Sequence, residues 1–271
     1  MINGCPVLAV LNRPETAAAV LDAASAMCRL PGAGPLELLW PRPDLPPDFL
    51  PTEEVAVPER LAAFERDEAE LGAALRERVR GALPHPPPLH EECGTVRRVV
   101  ATAAERVALA VLGAPGQDRD SPARQALDGA LFDARAPLLL VPEHTKPFLI
   151  RTVAVAWEDS PAAIDALDAA MPLLRAAEWV VVLVAEEGHK SVALPPALSD
   201  ALHRHEAHAE VRRFSLDGRH VGEAVLDEAA ASGADLLVMG AFTHPRFIEA
   251  LFGGATREVL EGTGIPVLLH H

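Results

Sequence analysis

A glycine-containing segment near the end of the sequence has the residue types and spacing of an anion site. It begins at Gly240, which closes an apolar run, and reaches the paired glycines Gly253 and Gly254, followed by Ala255 and Thr256 at the start of a predicted helix. Paired glycines let backbone N–H groups approach an anion, and the start of a helix favours negative charge. The segment is therefore a candidate phosphate-binding site. The alternative is that these glycines only allow a helix and a strand to pack closely.

A second polar segment begins at Glu158, directly after the apolar run Val153–Trp157. Ser160 is a residue type that caps helix N-termini, and Pro161 suits the first position of the helix that follows. In open α/β sheets, ligands bind at the carboxyl ends of the strands. We therefore expect Glu158 and Ser160 to lie at the same sheet edge as Gly240.

The other polar motifs indicate no catalytic residue and no metal site. His203, His205 and His208 lie at helical spacing, but no carboxylate or cysteine converges on them, so exposed histidines are the favoured interpretation. His270 and His271 are interpreted as a plain strand end. The sequence has no Gly-x4-Gly-Lys phosphate loop, no His-Glu-x-x-His zinc motif and no Gly-x-Ser-x-Gly nucleophile motif.

An internal repeat organises the elements that must position these segments. Ala108–Ala114 and Asp235–Ala241 are apolar runs that both end in Gly-Ala. Each is followed, at similar spacing, by a proline that opens a further apolar run, at Pro137 and at Pro266. Short unbroken apolar runs bounded by glycine and proline indicate strands buried on both faces, as in parallel sheets.

Each half is predicted to contain five strands that alternate with helices. The strands that open and close the halves are Val7–Leu11, Leu138–Val141, Val153–Trp157 and Val267–His270, and the clearest helices are Glu15–Cys28, Val96–Val107, Pro161–Ala176 and Val221–Ser232. The inner strands are expected at Leu36–Trp40, Leu89–Glu92, Val180–Ala185 and Glu210–Ser215 and in the two Gly-Ala runs. Such alternation implies right-handed crossovers and a parallel sheet. We predict two tandem α/β domains with open, mostly parallel sheets, 1–146 and 147–271, joined by a linker at Glu143–Leu149.

The halves differ most in the middle segment of the first half, residues 41–88. This segment contains the proline-rich stretch 41–51 and a long charged helix predicted over Glu59–Leu83. The favoured interpretation is a peripheral insertion that covers the edge of the sheet. The alternative is a lid or a partner-binding helix.

The chain resembles a tandem member of the universal stress protein family over essentially its whole length, most strongly over 151–187 and 234–271. ATP-binding members of that family carry Gly-x2-Gly-x9-Gly-(Ser/Thr) between the fourth and fifth strands. The first and third glycines of this motif fall on Gly240 and Gly253. Thr243 replaces the second glycine, and Gly254 replaces the Ser/Thr. The acidic residue after the first strand, usually Asp, is Glu158.

The resemblance implies a Rossmann-like fold of the adenine nucleotide alpha hydrolase type, with ATP or another adenine nucleotide bound in the second half. The residues it assigns to the nucleotide are Glu158, Ser160, Gly240, Thr243, Gly253, Gly254, Ala255 and Thr256. Thr256 would supply the hydroxyl that Gly254 lacks, whereas Thr243 would be strained if its position needs a positive φ. The only metal expected is Mg²⁺ accompanying the nucleotide.

The first half keeps less of the motif. Gly113 and Gly116 preserve Gly-x2-Gly, but Ala126 stands at the third glycine and Asn12 at the acidic residue. The loop after Gly116 is acidic, which is unfavourable beside a triphosphate. We expect the first half to act as a scaffold without ATP.

The charge of the chain limits its partners. The formal net charge is −15, and neither half is basic, so nucleic acid and anionic membrane surfaces are not expected as partners. The three cysteines, Cys5, Cys28 and Cys93, lack Cys-x-x-Cys spacing, and no signal peptide is visible. We expect a cytoplasmic protein.

The function implied by the resemblance is that of a stress-response regulatory or binding protein that takes an adenine nucleotide in its second half. Family dimers form through the fifth strands, here Leu138–Val141 and Val267–His270, which implies an intramolecular pseudo-dimer. Partners expected through these strands are the protein itself or other stress proteins, besides an unidentified protein partner. The alternative is a nucleotide-free interaction module of the same family. An enzyme, at most a weak ATP hydrolase, ranks last because no general base or metal cage can be assigned.

Overall fold

The computed structural model describes residues 4–46, 58–116, 118, 121–143, 147–158, 160–186, 199, 208–241 and 254–271. Within these residues, the first half has five strands, β1 (Val7–Val10), β2 (Leu36–Arg42), β3 (Leu89–Cys93), β4 (Leu109–Gly113) and β5 (Leu138–Val141). Its helices are α1 (Pro14–Cys28), α2 (Pro58–Ala82), α3 (Val96–Ala104) and α4 (Pro122–Asp128), and α4 continues into a π-helical turn at Gly129–Asp133.

The second half repeats this order in its described part. Its strands are β6 (Thr152–Ala156), β7 (Trp179–Glu186), β8 (His208–Ser215), β9 (Leu236–Gly240) and β10 (Val267–His270), and its helices are α5 (Pro161–Ala176), α6 (Val221–Ala231) and α7 (Ala255–Gly262). Strands β5 and β10 and helix α5 have the predicted bounds. The helix expected between β7 and β8 lies outside the described residues.

One ten-stranded sheet runs through both halves in the order β3-β2-β1-β4-β5-β10-β9-β6-β7-β8. Neighbouring strands are parallel everywhere except at the junction of β5 with β10, where Leu139 lies opposite Leu268 in an antiparallel ladder. The predicted fold class, a mostly parallel α/β sheet with flanking helices, is confirmed. Since the strand direction reverses at the junction, the carboxyl edges of the two halves lie at opposite ends of the sheet.

The pairing of β5 with β10 uses the strands that the resemblance assigns to dimer formation. Each of them has a neighbour on both sides, because β4 flanks β5 and β9 flanks β10. Their residues Leu138–Val141 and Val267–Leu269 are buried. The fifth strands therefore meet each other inside the chain, and the two outer strands of the sheet are β3 and β8.

Helices cover both faces of the sheet, as strands that are apolar on both sides require. Helices α1, α2 and α5 pack on one face, and α3, α4, α6 and α7 pack on the other. The helix faces that meet the sheet are rich in alanine, which lets helix and strand approach closely. Both cores contain residues of both halves.

Most elements differ from their predicted bounds by one or two residues at an end, and two segments differ by more than that or in position. Helix α3 ends at Ala104 rather than Val107, because residues 105–107 form a turn that leads into β4. Helix α2 lies on the face of the sheet, where Gly72 packs on the Trp40 ring, rather than across the free edge of β3.

The linker contacts the first half. The backbone N–H of Phe148 donates to Asp22 Oδ2 of α1 at 2.6 Å, and the Phe148 ring is buried in the core. None of the described helices is both long enough and apolar enough to cross a membrane.

Candidate functional site

The start of helix α7 presents the backbone of the candidate phosphate site. Gly254 is the N-cap residue, with φ 118° and ψ 177°, a conformation that is essentially restricted to glycine. A methyl group on Gly254 would meet no atom within 4 Å among the described residues. The Gly254 carbonyl accepts from the N–H of Arg257 at 3.1 Å, which is the first hydrogen bond within the helix. The N–H groups of Ala255 and Thr256 come before this bond in the chain, as the first amides of a helix do. The site thus combines an exposed glycine backbone with the positive end of a helix.

The hydroxyl expected to serve this site is largely covered. Thr256 is 8% exposed and lies on the face of α7 that packs against the sheet. Its role as a substitute for the missing Ser/Thr stays a prediction. The backbone of Gly254 and Ala255 is the accessible part of the segment, because Gly254 is exposed and Ala255 half-buried.

Gly240 has a packing role. A methyl group there would lie 2.6 Å from the amide nitrogen of Ala163 and 2.8 Å from the carbonyl carbon of Ala162. Glycine thus lets the end of β9 touch the first turn of α5. The alternative interpretation of the sequence, close packing of helix and strand, holds for this glycine.

The turn after β6 is organised by Ser160. Its Oγ accepts from the N–H of Ala163 at 3.2 Å, which confirms the predicted helix cap. The same hydroxyl donates to Glu158 Oε1 at 3.0 Å, and the Ser160 N–H donates to the Glu158 carbonyl at 2.9 Å. Glu158 is exposed at the carboxyl edge, with its carboxylate held close to the start of α5.

The sheet brings these segments together. Strands β6 and β9 are parallel neighbours, with Val155 opposite Val238. Glu158, which follows β6, and Gly240, which ends β9, therefore lie at one edge of the sheet. The chain order reverses between these strands, which is where open α/β sheets bind ligands. Ser160 and Gly240 both contact the first turn of α5. Thr243 and Gly253 lie outside the described residues, as do His203 and His205.

A shallow depression of about 420 Å³ lies between the starts of α6 and α7. Its lining includes His220, Gly254, Ala255, Arg257 and Glu258. It shares the glycine backbone with the candidate site, whereas Glu158, Ser160 and Gly240 do not line it. We therefore place the candidate site at the sheet edge, and regard the depression as the outer flank of the start of α7.

Glu258 joins the two helix starts, and sequence reasoning missed it. Its Oε2 accepts from the N–H of Gly222 at 2.9 Å, and its Oε1 lies 3.4 Å from His220 Nδ1. A methyl group on Gly222 would lie 2.6 Å from the carbonyl oxygen of Ala255. The glycine at the second position of a predicted helix was the available sign that another backbone approaches there.

Burial perturbs one titratable group near this edge. Desolvation lowers the pKa of the His270 imidazole below its usual value, although the charge of Asp165 opposes the shift. The His270 Nδ1 is buried and has no hydrogen-bond partner in the described part of the chain. Burial therefore favours the neutral imidazole of His270 over the charged one. No group of three potential metal ligands occurs among the described residues.

At the equivalent edge of the first half, the Arg13 side chain bridges two segments of the chain. Sequence reasoning missed this residue as well. Arg13 Nη1 donates to the Ala114 carbonyl at 2.7 Å, and Nη2 pairs with Glu143 Oε2 at 3.2 Å. Arg13 thereby connects the segments that follow β1, β4 and β5. Gly116, which has a positive φ of 75°, lies beside this side chain. A methyl group on Gly116 would be 3.8 Å from Arg13 Nη1. The only sign in the sequence was an arginine in place of a small residue before Pro14.

Comparison with known proteins identifies the second half. Residues 149–271 match the model of the universal stress protein family. That segment, a little under half of the chain, is similar to universal stress protein domains, and the candidate site described above lies within it. No protein with curated annotation matches the sequence.

Solved structures resemble the whole chain in fold. A universal stress protein from Archaeoglobus fulgidus DSM 4304 is 14% identical with a TM-score of 0.69, and the alignment covers 99% of this chain and 97% of that chain. A functionally unknown protein from Pseudomonas aeruginosa PAO1 is 16% identical with a TM-score of 0.56, covering 99% of this chain and 93% of that one. The segment that matches the family model is therefore part of a fold that these structures share over 99% of the chain.

Proposed function

We propose that the chain is a tandem pair of universal stress protein domains that acts as a regulatory binding protein, and that its second domain binds ATP or another adenine nucleotide. The observation that carries the proposal is the start of α7. Gly254 there offers an exposed backbone, in a conformation reserved for glycine, at the positive end of a helix. This geometry suits the phosphates of a nucleotide.

The nucleoside is assigned to the edge where β6 and β9 end. Glu158 presents an exposed carboxylate there, held by Ser160 at 3.0 Å, which can accept hydrogen bonds from ribose hydroxyls. Any Mg²⁺ would arrive with the phosphates. The proposal is binding rather than turnover, because Glu158 is assigned to the ribose and Glu258 accepts from the Gly222 N–H.

The tandem arrangement is supported by the equivalent strand order of the halves around the β5–β10 junction. A single nucleotide per chain is supported by Arg13, since its side chain bridges Ala114 and Glu143 at the first half's equivalent edge. The first half would then serve as a scaffold.

The test is calorimetric titration of the intact chain with ATP, ADP and AMP. We expect one site per chain, and at least tenfold weaker binding in Gly254→Ala, because a side chain strains the backbone that faces the phosphates. Gly218→Ala is the matched control, since Gly218 has φ 82°, open space around it and a position in the turn after β8. The absence of heat at millimolar nucleotide, or a stoichiometry of two, would contradict the proposal.

The second candidate is a nucleotide-free interaction module, favoured by the surface of α2. This helix has 25 residues, of which only Glu68, Gly72, Leu75 and Val79 are buried. Its remaining surface is highly charged. Charge reversal at Arg66 and Arg78 would remove partners from a pull-down if α2 carries recognition, whereas partners retained by this variant and lost with Gly254→Ala would favour the nucleotide-dependent function.

A further inference from the structure

The antiparallel junction places part of the first half beside the candidate site of the second. Leu138, at the start of β5, lies opposite Leu269, near the end of β10. The π-helical turn Gly129–Asp133, which precedes β5, is therefore next to the edge where β9 and β10 end. The first half reaches the second half's ligand edge from the β10 side.

A chain of three contacts crosses this boundary. The rings of Phe132 and His271 lie 5.6 Å apart at 78°, an edge-to-face arrangement. His271 Nδ1 is 3.1 Å from the carbonyl oxygen of Ala241, and the N–H of Ala241 donates to the His270 carbonyl at 2.8 Å. Ala241 is the first residue after β9 and begins the segment that leads to Gly254.

In the first half, the carbonyl equivalent to that of Ala241 belongs to Ala114, and it has a different hydrogen-bond donor. The Ala114 N–H donates to the Val141 carbonyl at 2.8 Å, just as Ala241 does to His270. However, the Ala114 carbonyl accepts from Arg13, which comes from the β1 side and fills the ligand edge. The residue equivalent to His271 is Pro142, which has no side-chain donor.

We infer that Phe132 and His271 are positioning residues for the nucleotide site of the second half, so that the first half sets the geometry of a site to which it contributes no ligand. The inference rests on the proposed function for its effect on nucleotide affinity. His271 with its proton on Nδ1 donates to Ala241 from the β10 side, and the Phe132 edge-to-face contact fixes the plane of the imidazole. The Ala241 carbonyl is thereby held from the β10 side, whereas the equivalent carbonyl of the first half is held from the β1 side.

The test measures two quantities in the intact chain, amide hydrogen exchange at Ala241 and ATP affinity by calorimetry. For His271→Ala, which loses one hydrogen bond, and for Phe132→Leu, which loses the ring contact that fixes the imidazole, we expect three- to tenfold faster exchange at Ala241 and a three- to tenfold higher Kd. His271→Asn places an amide donor where Nδ1 was and should restore both quantities. His271→Phe keeps an aromatic ring without the donor and should not.

The controls are His85→Ala, an exposed histidine in the turn after α2, and Phe64→Ala on α2. Thermal unfolding identifies any variant that is globally destabilised, and for Phe132 the conservative leucine variant limits that effect. If His271→Ala leaves both exchange and Kd unchanged, or if His271→Phe behaves like His271→Asn, the inference is overturned.

The two failures are distinguishable. If the wild-type chain binds no nucleotide but the variants still accelerate exchange at Ala241 with rescue by asparagine, the proposed function fails and the positioning role stands. If nucleotide binds tightly and the variants change neither quantity, the proposed function stands and the positioning role fails.

Discussion

Gly113 and Gly240 occupy equivalent places at the ends of β4 and β9, and each one lets its strand touch a helix of the same half. The neighbour differs, because Gly113 faces the Thr16 side chain whereas Gly240 faces the backbone of Ala162 and Ala163. A side chain can move to another rotamer, but the first turn of a helix can shift only with the whole helix.

We predict that Gly240→Ala costs about 3 kcal/mol of unfolding free energy and Gly113→Ala about 1 kcal/mol, since both overpack but only one meets fixed backbone. Urea unfolding of the two variants measures the difference. Equal losses would show that Thr16 is as immobile as the start of α5. Adding Thr16→Ala should relieve most of the cost at Gly113, and it should not help Gly240→Ala.

Glu68 is a buried carboxyl on α2. Desolvation raises its pKa above the usual value, although the charge of Arg42 opposes the shift. Its Oε2 has no hydrogen-bond partner among the described residues. The folded state therefore favours the protonated acid more than the unfolded chain does, and ionisation of Glu68 lowers the free energy of unfolding at neutral pH.

We predict that Glu68→Gln is more stable than the wild type by about 1 kcal/mol at pH 7. Because the folded pKa lies above the unfolded one, the cost of ionisation disappears as the pH falls through the folded pKa, so the gap between the two proteins should narrow towards the unfolded pKa of about 4.5. Urea unfolding at several pH values checks this. The exposed Glu70→Gln serves as control, and a gap independent of pH would refute the assignment.

At the scale of the element, α2 depends on one close approach. Gly72 lies directly on the Trp40 ring, and the Arg76 guanidinium carbon is 5.3 Å from the centre of that ring. Arg76 also pairs with Glu91 of β3 at 2.8 Å, so the helix, β2 and β3 are tied at one place. This contact explains how a helix with a mostly charged surface keeps a fixed position.

We predict opposite signs for two glycine substitutions in α2. Gly72→Ala overlaps the Trp40 ring and should lower the free energy of unfolding by about 2 kcal/mol. Gly81→Ala has open space and should raise it by up to about 1 kcal/mol, because alanine favours the helix. Thermal unfolding followed by circular dichroism compares them. A loss of stability in both variants would contradict the prediction, because Gly81→Ala would then gain nothing from the helix propensity of alanine.

The sequence predicted the strands and the local helix cap, but not the contacts between residues that are far apart in the chain. Strands such as β5 and β10 were predictable with their bounds, because an apolar run of three or four residues that begins after a proline is too short for a helix and typical of a buried strand. The N-cap at Ser160 was predictable because it depends on neighbours in sequence. The role of Arg13, the contact of Phe132 with His271 and the bond from Gly222 to Glu258 were not, since each joins residues far apart in the chain.

At the scale of the whole molecule, the β5–β10 junction makes one sheet and two shared cores. Leu139 and Leu268 face each other there, and both are essentially inaccessible to solvent. Each core contains side chains from both halves. Neither half can therefore lose its structure without exposing apolar surface of the other.

We predict a single cooperative transition in differential scanning calorimetry, with equal calorimetric and van't Hoff enthalpies. Leu268→Asp, which places a charge in the junction, should lower the midpoint strongly or split the transition. Two resolved transitions in the wild type would mean that the halves are energetically independent. Val211→Asp, at a partly exposed position on β8, provides the control for adding a charge to a strand.

The same junction affects how substitutions can accumulate at the two ligand edges. In a dimer of identical chains, every substitution appears at both equivalent positions, so an arginine that closes one ligand edge closes the other as well. A chain that contains both halves escapes this constraint, and here Arg13 and Ser160, or Pro142 and His271, occupy comparable places with different chemistry. Covalent linkage thus allows the residues at the two edges to change independently of each other.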